Sequence, residues 1–101
     1  MKVIVTHTNT DFDSLAAQLG AHKLYPDATP VLMQTVEANV HAFIRLHGGA
    51  LGLTPVREIP LEQVSQVIVV DTQDTTRLER LAALASNPDV RWIVYDHHPV
   101  R

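Results

Sequence analysis

The sequence contains no cysteine, which excludes both a disulfide framework and a thiolate metal site. Any metal ion would have to be held by imidazole and carboxylate, a donor set that suits manganese, magnesium, cobalt, iron or a carboxylate-rich zinc site. Long apolar runs are also missing, and the N-terminal MKVIVTHTNTD turns polar and acidic too early for a signal peptide. A cytoplasmic location with no membrane partner is the expectation. Basic charge is scarce: 8 Lys and Arg against 11 Asp and Glu give a net charge of −3. That balance argues against a broad basic surface gripping nucleic acid through its phosphates. A phosphate-bearing ligand would need its cation from another source. Gly48, Gly49 and Gly52 follow no strand directly, and no lysine or Ser/Thr stands at phosphate-loop spacing after them. A glycine fingerprint for a dinucleotide is therefore absent, and a plain nucleotide-binding domain is disfavoured.

What is present is an ordinary folding chain. With 101 residues, 46% hydrophobic and 19% charged, it has the length for one domain, residues 1–101, with a real core. Residues 2–6 form a β-branched apolar run, the signature of a strand buried on both faces. Phe12, Leu15, Ala16 and Leu19 recur at helical spacing, so 13–25 reads as a helix that ends before Pro26. Residues 29–35 read as a second strand. Val36, Val40, Phe43, Ile44 and His47 share one helical face, with a glycine stop at Gly48.

Residues 50–64 hold two prolines without a clear period and read as a connection, with a short strand or helical turn around Val56 and Leu61. QVIVVD, 66–71, is the strongest strand signal. Leu78, Leu81, Ala82 and Ala85 lie at helical spacing, and VRWIVY, 90–95, is the last strand, with Trp92 read as core. The alternation of strand and helix predicts an α/β domain with a mainly parallel sheet and right-handed crossover helices.

The polar residues fall where such a sheet binds ligands. His7 and Asp11 follow the first strand, Asp71 ends the third, and Asp96, His97 and His98 end the last, all at carboxyl ends. Each has a plain structural reading. Asp11, Asp13 and Ser14 suit helix caps, Asp71 and Asp74 suit turns, and Asp96, His97 and His98 suit a frayed terminus. His22, His41 and His47 fall on predicted helices away from the strand ends and read as surface residues. Taken together, carboxylates crowded at one sheet edge repel one another unless a cation neutralises them. Two divalent ions would relieve that conflict and point to metal-assisted phosphate hydrolysis.

The strand followed by HTNTDFDS, the strand ending in Asp71, and YDHHP after a further strand together resemble the DHH phosphoesterase superfamily. Its members include manganese-dependent pyrophosphatases, exopolyphosphatases, single-strand exonucleases and nano-RNA or cyclic-dinucleotide phosphodiesterases, and DHH domains fused to CBS and tRNA nucleotidyltransferase-like domains. Thr10 stands where many members have proline.

The resemblance implies a Rossmann-like DHH N-terminal domain in which His7 and Asp11 bind one metal, Asp13 binds a second, and Asp71 bridges them. His97 would complete the second site, His98 would contact the substrate phosphate, and Asp96 would orient a histidine. The implied cofactor is a pair of Mn2+ ions, with Mg2+ or Co2+ as alternatives. The implied substrate is a phosphate-containing small molecule or a short single-stranded nucleic acid, cleaved at a phosphoanhydride or phosphodiester bond. The family also has a fourth aspartate motif and a C-terminal substrate-binding domain beyond the DHH triplet, so the chain is expected to be the N-terminal part of a longer protein and inactive by itself. The alternative is a non-catalytic or regulatory DHH domain of a larger nucleotide- or RNA-processing protein, such as a tRNA nucleotidyltransferase fusion.

Overall fold

The computed structural model describes residues 1–96. Five strands form one all-parallel sheet: β1 (Lys2–Val5), β2 (Thr29–Leu32), β3 (Thr54–Pro55), β4 (Gln66–Val70) and β5 (Arg91–Tyr95), in the order β3-β2-β1-β4-β5. The α/β expectation holds, and the 50–64 connection contains both the short strand β3 and, at Val56–Glu58 and Leu61–Gln63, two 3-10 turns. The centre of the sheet is β1 beside β4, paired from Lys2↔Gln66 to Val5↔Val69. After Lys2 and Gln66, which open them, both strands consist of buried β-branched residues, as parallel strands covered on two sides require.

Alternate residues along these strands enter two different cores, because side chains on a strand point to opposite faces. Val3, Val5, Val67 and Val69 join Val31, Ile59, Leu78, Leu81 and Leu84 on one face. Ile4, Ile68 and Val70 join Ala21 and Ala28 on the other, under α1 (Phe12–Leu24). Trp92 is half-buried against the first core.

The helices differ from their expected faces for identifiable reasons. In α1 the buried residues are Ser14, Leu15, Gln18 and Ala21, while Phe12 is exposed. The stripe is rotated because two polar residues earn burial through hydrogen bonds: Gln18 Nε2 donates to Ile4 O at 3.1 Å and to Val31 O at 2.8 Å, tying α1 across β1 and β2. The second helix, α2 (Ala38–Leu51), runs through Gly48 and Gly49 and stops at Gly52, whose φ of 68° is the left-handed C-cap conformation that glycine adopts without strain. Phe43 of α2 meets Phe12 edge-on, with ring centroids 5.6 Å apart.

The stretch expected to be a helix around Leu78–Ala85 is 3-10 structure, Thr75–Arg77 and Glu79–Ser86. Its buried residues, Leu78, Leu81 and Leu84, recur every third position, which is the period of a 3-10 helix rather than an α-helix.

Candidate metal centre

The strand order turns at β1 and β4: the chain winds outward from β1 to β2 and β3 on one side, and from β4 to β5 on the other. Crevices beyond the carboxyl ends of strands at such a switch point are where open α/β sheets bind ligands. The two strand ends are stapled by Thr6, whose buried Oγ1 donates to Val70 O at 2.9 Å.

Beyond that staple each loop makes a turn that aims its acid inward. Asn9 takes φ 58°, a left-handed conformation that asparagine tolerates, and the buried Thr10 donates from Oγ1 to His7 O at 3.0 Å. The chain thereby returns and sets Asp11 beside His7. After β4, Asp71 takes φ 64°, and its N–H is pinned to Tyr95 O at 3.0 Å. One ligand atom from each of His7, Asp11 and Asp71 then lies within 4.8 Å of the others. His7 Nε2 is 3.5 Å from Asp71 Oδ2, and the two side chains are only 7% and 10% exposed.

Asp11 is also the N-cap of α1. Its Oδ1 accepts from the Ser14 N–H at 2.8 Å and from the Ser14 hydroxyl at 2.9 Å, and Ser14 Oγ in turn accepts the Asp11 N–H at 2.9 Å. The Ser14 amide is the main reason that the Asp11 carboxyl sits below the ordinary carboxylate value; burial opposes it, while the Ser14 hydroxyl and His7 add to it. A lowered folded value means that the stabilisation from this cap is complete above the unfolded carboxylate range and is lost as pH falls through the lowered value. The cap and the ligand readings of Asp11 are compatible, since all of its side-chain cap bonds go to Oδ1.

Two groups compete for His7 Nδ1: Thr8 O at 2.8 Å and Arg77 Nη2 at 3.2 Å. The carbonyl needs a proton on Nδ1, and the guanidinium needs that proton absent. The shorter contact favours the Nδ1–H tautomer, which turns the Nε2 lone pair toward Asp71, the arrangement of a histidine held for metal ligation by a backbone carbonyl. One imidazole with Nε2 available and two carboxylates therefore fit a divalent ion that accepts nitrogen and oxygen donors.

The remaining predicted residues are placed more loosely. Asp13, exposed in the first turn of α1, and the half-buried Asp96 line the same cleft of about 960 Å3 as Asp11 and Asp71 but stand outside the tight three-residue cluster. His97 and His98 lie outside the described residues. His22 is half-buried, and His41 and His47 are exposed, away from the cluster.

Over residues 2–101 the chain matches the DHH family, N-terminal domain. The chain belongs to the DHH family. The sequence reads Asp96, His97 and His98 directly after β5, and His7, Asp11 and Asp71 precede that triplet in the chain. Among curated proteins, the chain is 41% identical over 100 residues to an A-adding tRNA nucleotidyltransferase of Geobacter sulfurreducens. The match covers 98% of this chain but spans only 11% of that relative. No solved structure matches.

Sequence reasoning missed Arg77 and Glu79. Arg77 stands just before, and Glu79 within, a stretch read as an ordinary helix, although a charged pair directly after a candidate ligand loop was a signal available in DTQDTTRLER.

Proposed function

We propose that this DHH domain is the metal-binding part of a divalent-metal-dependent phosphoesterase, hydrolysing phosphoanhydride or phosphodiester bonds in the intact protein. The observation that carries the reading is the convergence of His7, Asp11 and Asp71 within 4.8 Å at the switch point. On this reading His7 and Asp11 would hold one ion, Asp71 would bridge to a second, and Asp13 and His97 would complete the second site. Bound ions would supply Lewis acidity and a water acidified toward neutrality. The protein's own work is positional. Thr8 O fixes the His7 ring, the α1 N-terminus keeps Asp11 ionised, and the left-handed turn aims Asp71. Asp96 would orient a ligating histidine, His98 would meet the substrate phosphate, and the cleft would admit a phosphate ester beside four carboxylates.

Manganese is the expected ion, with magnesium or cobalt as alternatives, and the substrate is a phosphate-containing small molecule or a short single-stranded nucleic acid. Assays of the intact protein against pyrophosphate, short polyphosphate, dinucleotides and single-stranded DNA, with manganese and with chelator, test this. Manganese-dependent turnover of one class supports it, and no turnover of any class contradicts it.

A second reading is a regulatory or non-catalytic domain of a nucleotide- or RNA-processing protein. It is favoured by the 41% identity to a tRNA nucleotidyltransferase of which such a domain is a small part. The same assays decide between them, since a binding domain turns over none of the substrates.

The Arg77 guanidinium has a definite expected effect. Replacing it with alanine removes both a competitor for His7 Nδ1 and a nearby positive charge, so Arg77→Ala should bind manganese about 3- to 10-fold more tightly in calorimetry at low salt. Unchanged or weaker binding would remove Arg77 from the electrostatics of the site.

A further inference from the structure

Glu79, the first residue of the second 3-10 segment, adopts a left-handed backbone, φ 57°. Glycine takes that conformation freely, whereas a side chain such as glutamate is strained in it, so its presence points to a job for the side chain. The carboxylate has one. Oε1 accepts from the Gln34 N–H at 2.8 Å and Oε2 from the Thr35 N–H at 3.2 Å, reaching 45 and 44 residues back to the loop between β2 and α2.

That loop in turn grips the residue before Asp11. Thr35 O accepts from the Thr10 N–H at 3.2 Å, the Glu37 N–H donates to Thr10 O at 2.9 Å, and Thr10 pairs with Val36 as an isolated parallel bridge. Thr10 is buried and bonded to His7 O. The circuit closes on the other side, where the Thr8 N–H donates to Arg77 O at 2.7 Å, two residues before Glu79. The loop that carries His7 and Asp11 is thus held from both flanks by one turn, on one side by its backbone and on the other by the Glu79 carboxylate acting through residues 34–37.

We propose that Glu79 is a positioning residue for the metal-binding loop: its two-oxygen clamp on the Gln34 and Thr35 amides fixes Thr10 and thereby the separation of His7 and Asp11. The inference rests on the reading that His7, Asp11 and Asp71 hold a divalent ion. The path from Glu79 to this loop runs through the backbone of residues 34–37 to Thr10, and from the Thr10 hydroxyl to His7 O.

The test compares Glu79→Gly and Glu79→Gln in the intact protein, by manganese titration calorimetry, by melting in chelator, and by amide hydrogen exchange in chelator. Glycine relieves the strained backbone while deleting the clamp. Its melting temperature should stay near wild type, while manganese affinity falls about 10-fold or more and the Thr10 and Glu37 amides exchange faster. Glutamine keeps one acceptor oxygen and should fall between; if the glycine variant does not fold, the glutamine variant decides by the same readouts. Wild-type manganese affinity in folded Glu79→Gly, or an affinity loss that only tracks its unfolded fraction, overturns the proposal. Unchanged protection of Thr10 overturns the clamp even without metal, whereas a wild-type protein that binds no manganese overturns the metal reading itself and this role with it.

Discussion

Asp71→Ala is expected to weaken manganese binding on the order of 100-fold or more in titration calorimetry, more than loss of an outer partner costs. Asp71 is a carboxylate from β4 against an imidazole and a carboxylate from the β1 loop, and its Oδ2 lies 3.5 Å from His7 Nε2. Removing it takes away the negative charge that offsets the bound cation and the group proposed to bridge two ions. Alanine at φ 64° is also strained, by about 1 kcal/mol, so the variant should melt earlier as well. Asp71→Asn separates the effects. Asparagine shares the left-handed tolerance of aspartate, so the fold should hold while manganese binding falls by a similar factor. Near-wild-type affinity in Asp71→Asn would remove Asp71 from the centre.

Gln18→Ala is expected to destabilise the domain by about 2–4 kcal/mol, since it removes a donor shared by two buried carbonyls and opens a cavity. Gln18 is 2% exposed, and its amide joins Ile4 O to Val31 O beside Pro30, a β2 residue with no N–H of its own. Against a typical total of roughly 5–15 kcal/mol, that loss would lower the melting temperature by roughly 10–25 °C. Gln18→Glu should also be destabilising, because an ionised carboxylate facing two carbonyls donates nothing and a protonated one donates only once. Urea unfolding midpoints check both, and a Gln18→Glu midpoint equal to wild type would contradict the role assigned to the amide.

Much of the sheet was readable in advance because β1 and β4 are short β-branched runs between polar residues, whose length and β-branching favour a two-sided buried strand over a helix. The positions of His7, Asp11 and Asp71 followed from those strand ends, so the edge they share was readable too. The stripe of α1 was not. Hydrophobic periodicity weighs Ser14 and Gln18 as outward-facing, whereas each is buried because it satisfies backbone groups that no apolar side chain could satisfy. The 3-10 character of Glu79–Ser86 turned on Leu84: Leu78 and Leu81 fit either period, and the third leucine at the same spacing decides it. Gly48 and Gly49 looked like a helix stop, but the stop needs a left-handed residue, and Gly52 is the glycine that adopts it. The turns at Asn9, Asp71 and Glu79 depend on hydrogen bonds to distant residues, so local pattern carries little trace of them. For the same reason Glu79 was invisible as a partner of Gln34 and Thr35 until the chain was folded.

Anomalous diffraction at the manganese edge, on crystals of the intact protein grown with manganese, tests the central claim most directly. The account predicts anomalous density in direct contact with His7 Nε2, an Asp11 oxygen and Asp71, and a second peak sharing Asp71. Well-diffracting crystals with these three side chains ordered and no anomalous peak among them, or manganese bound only elsewhere, would contradict it.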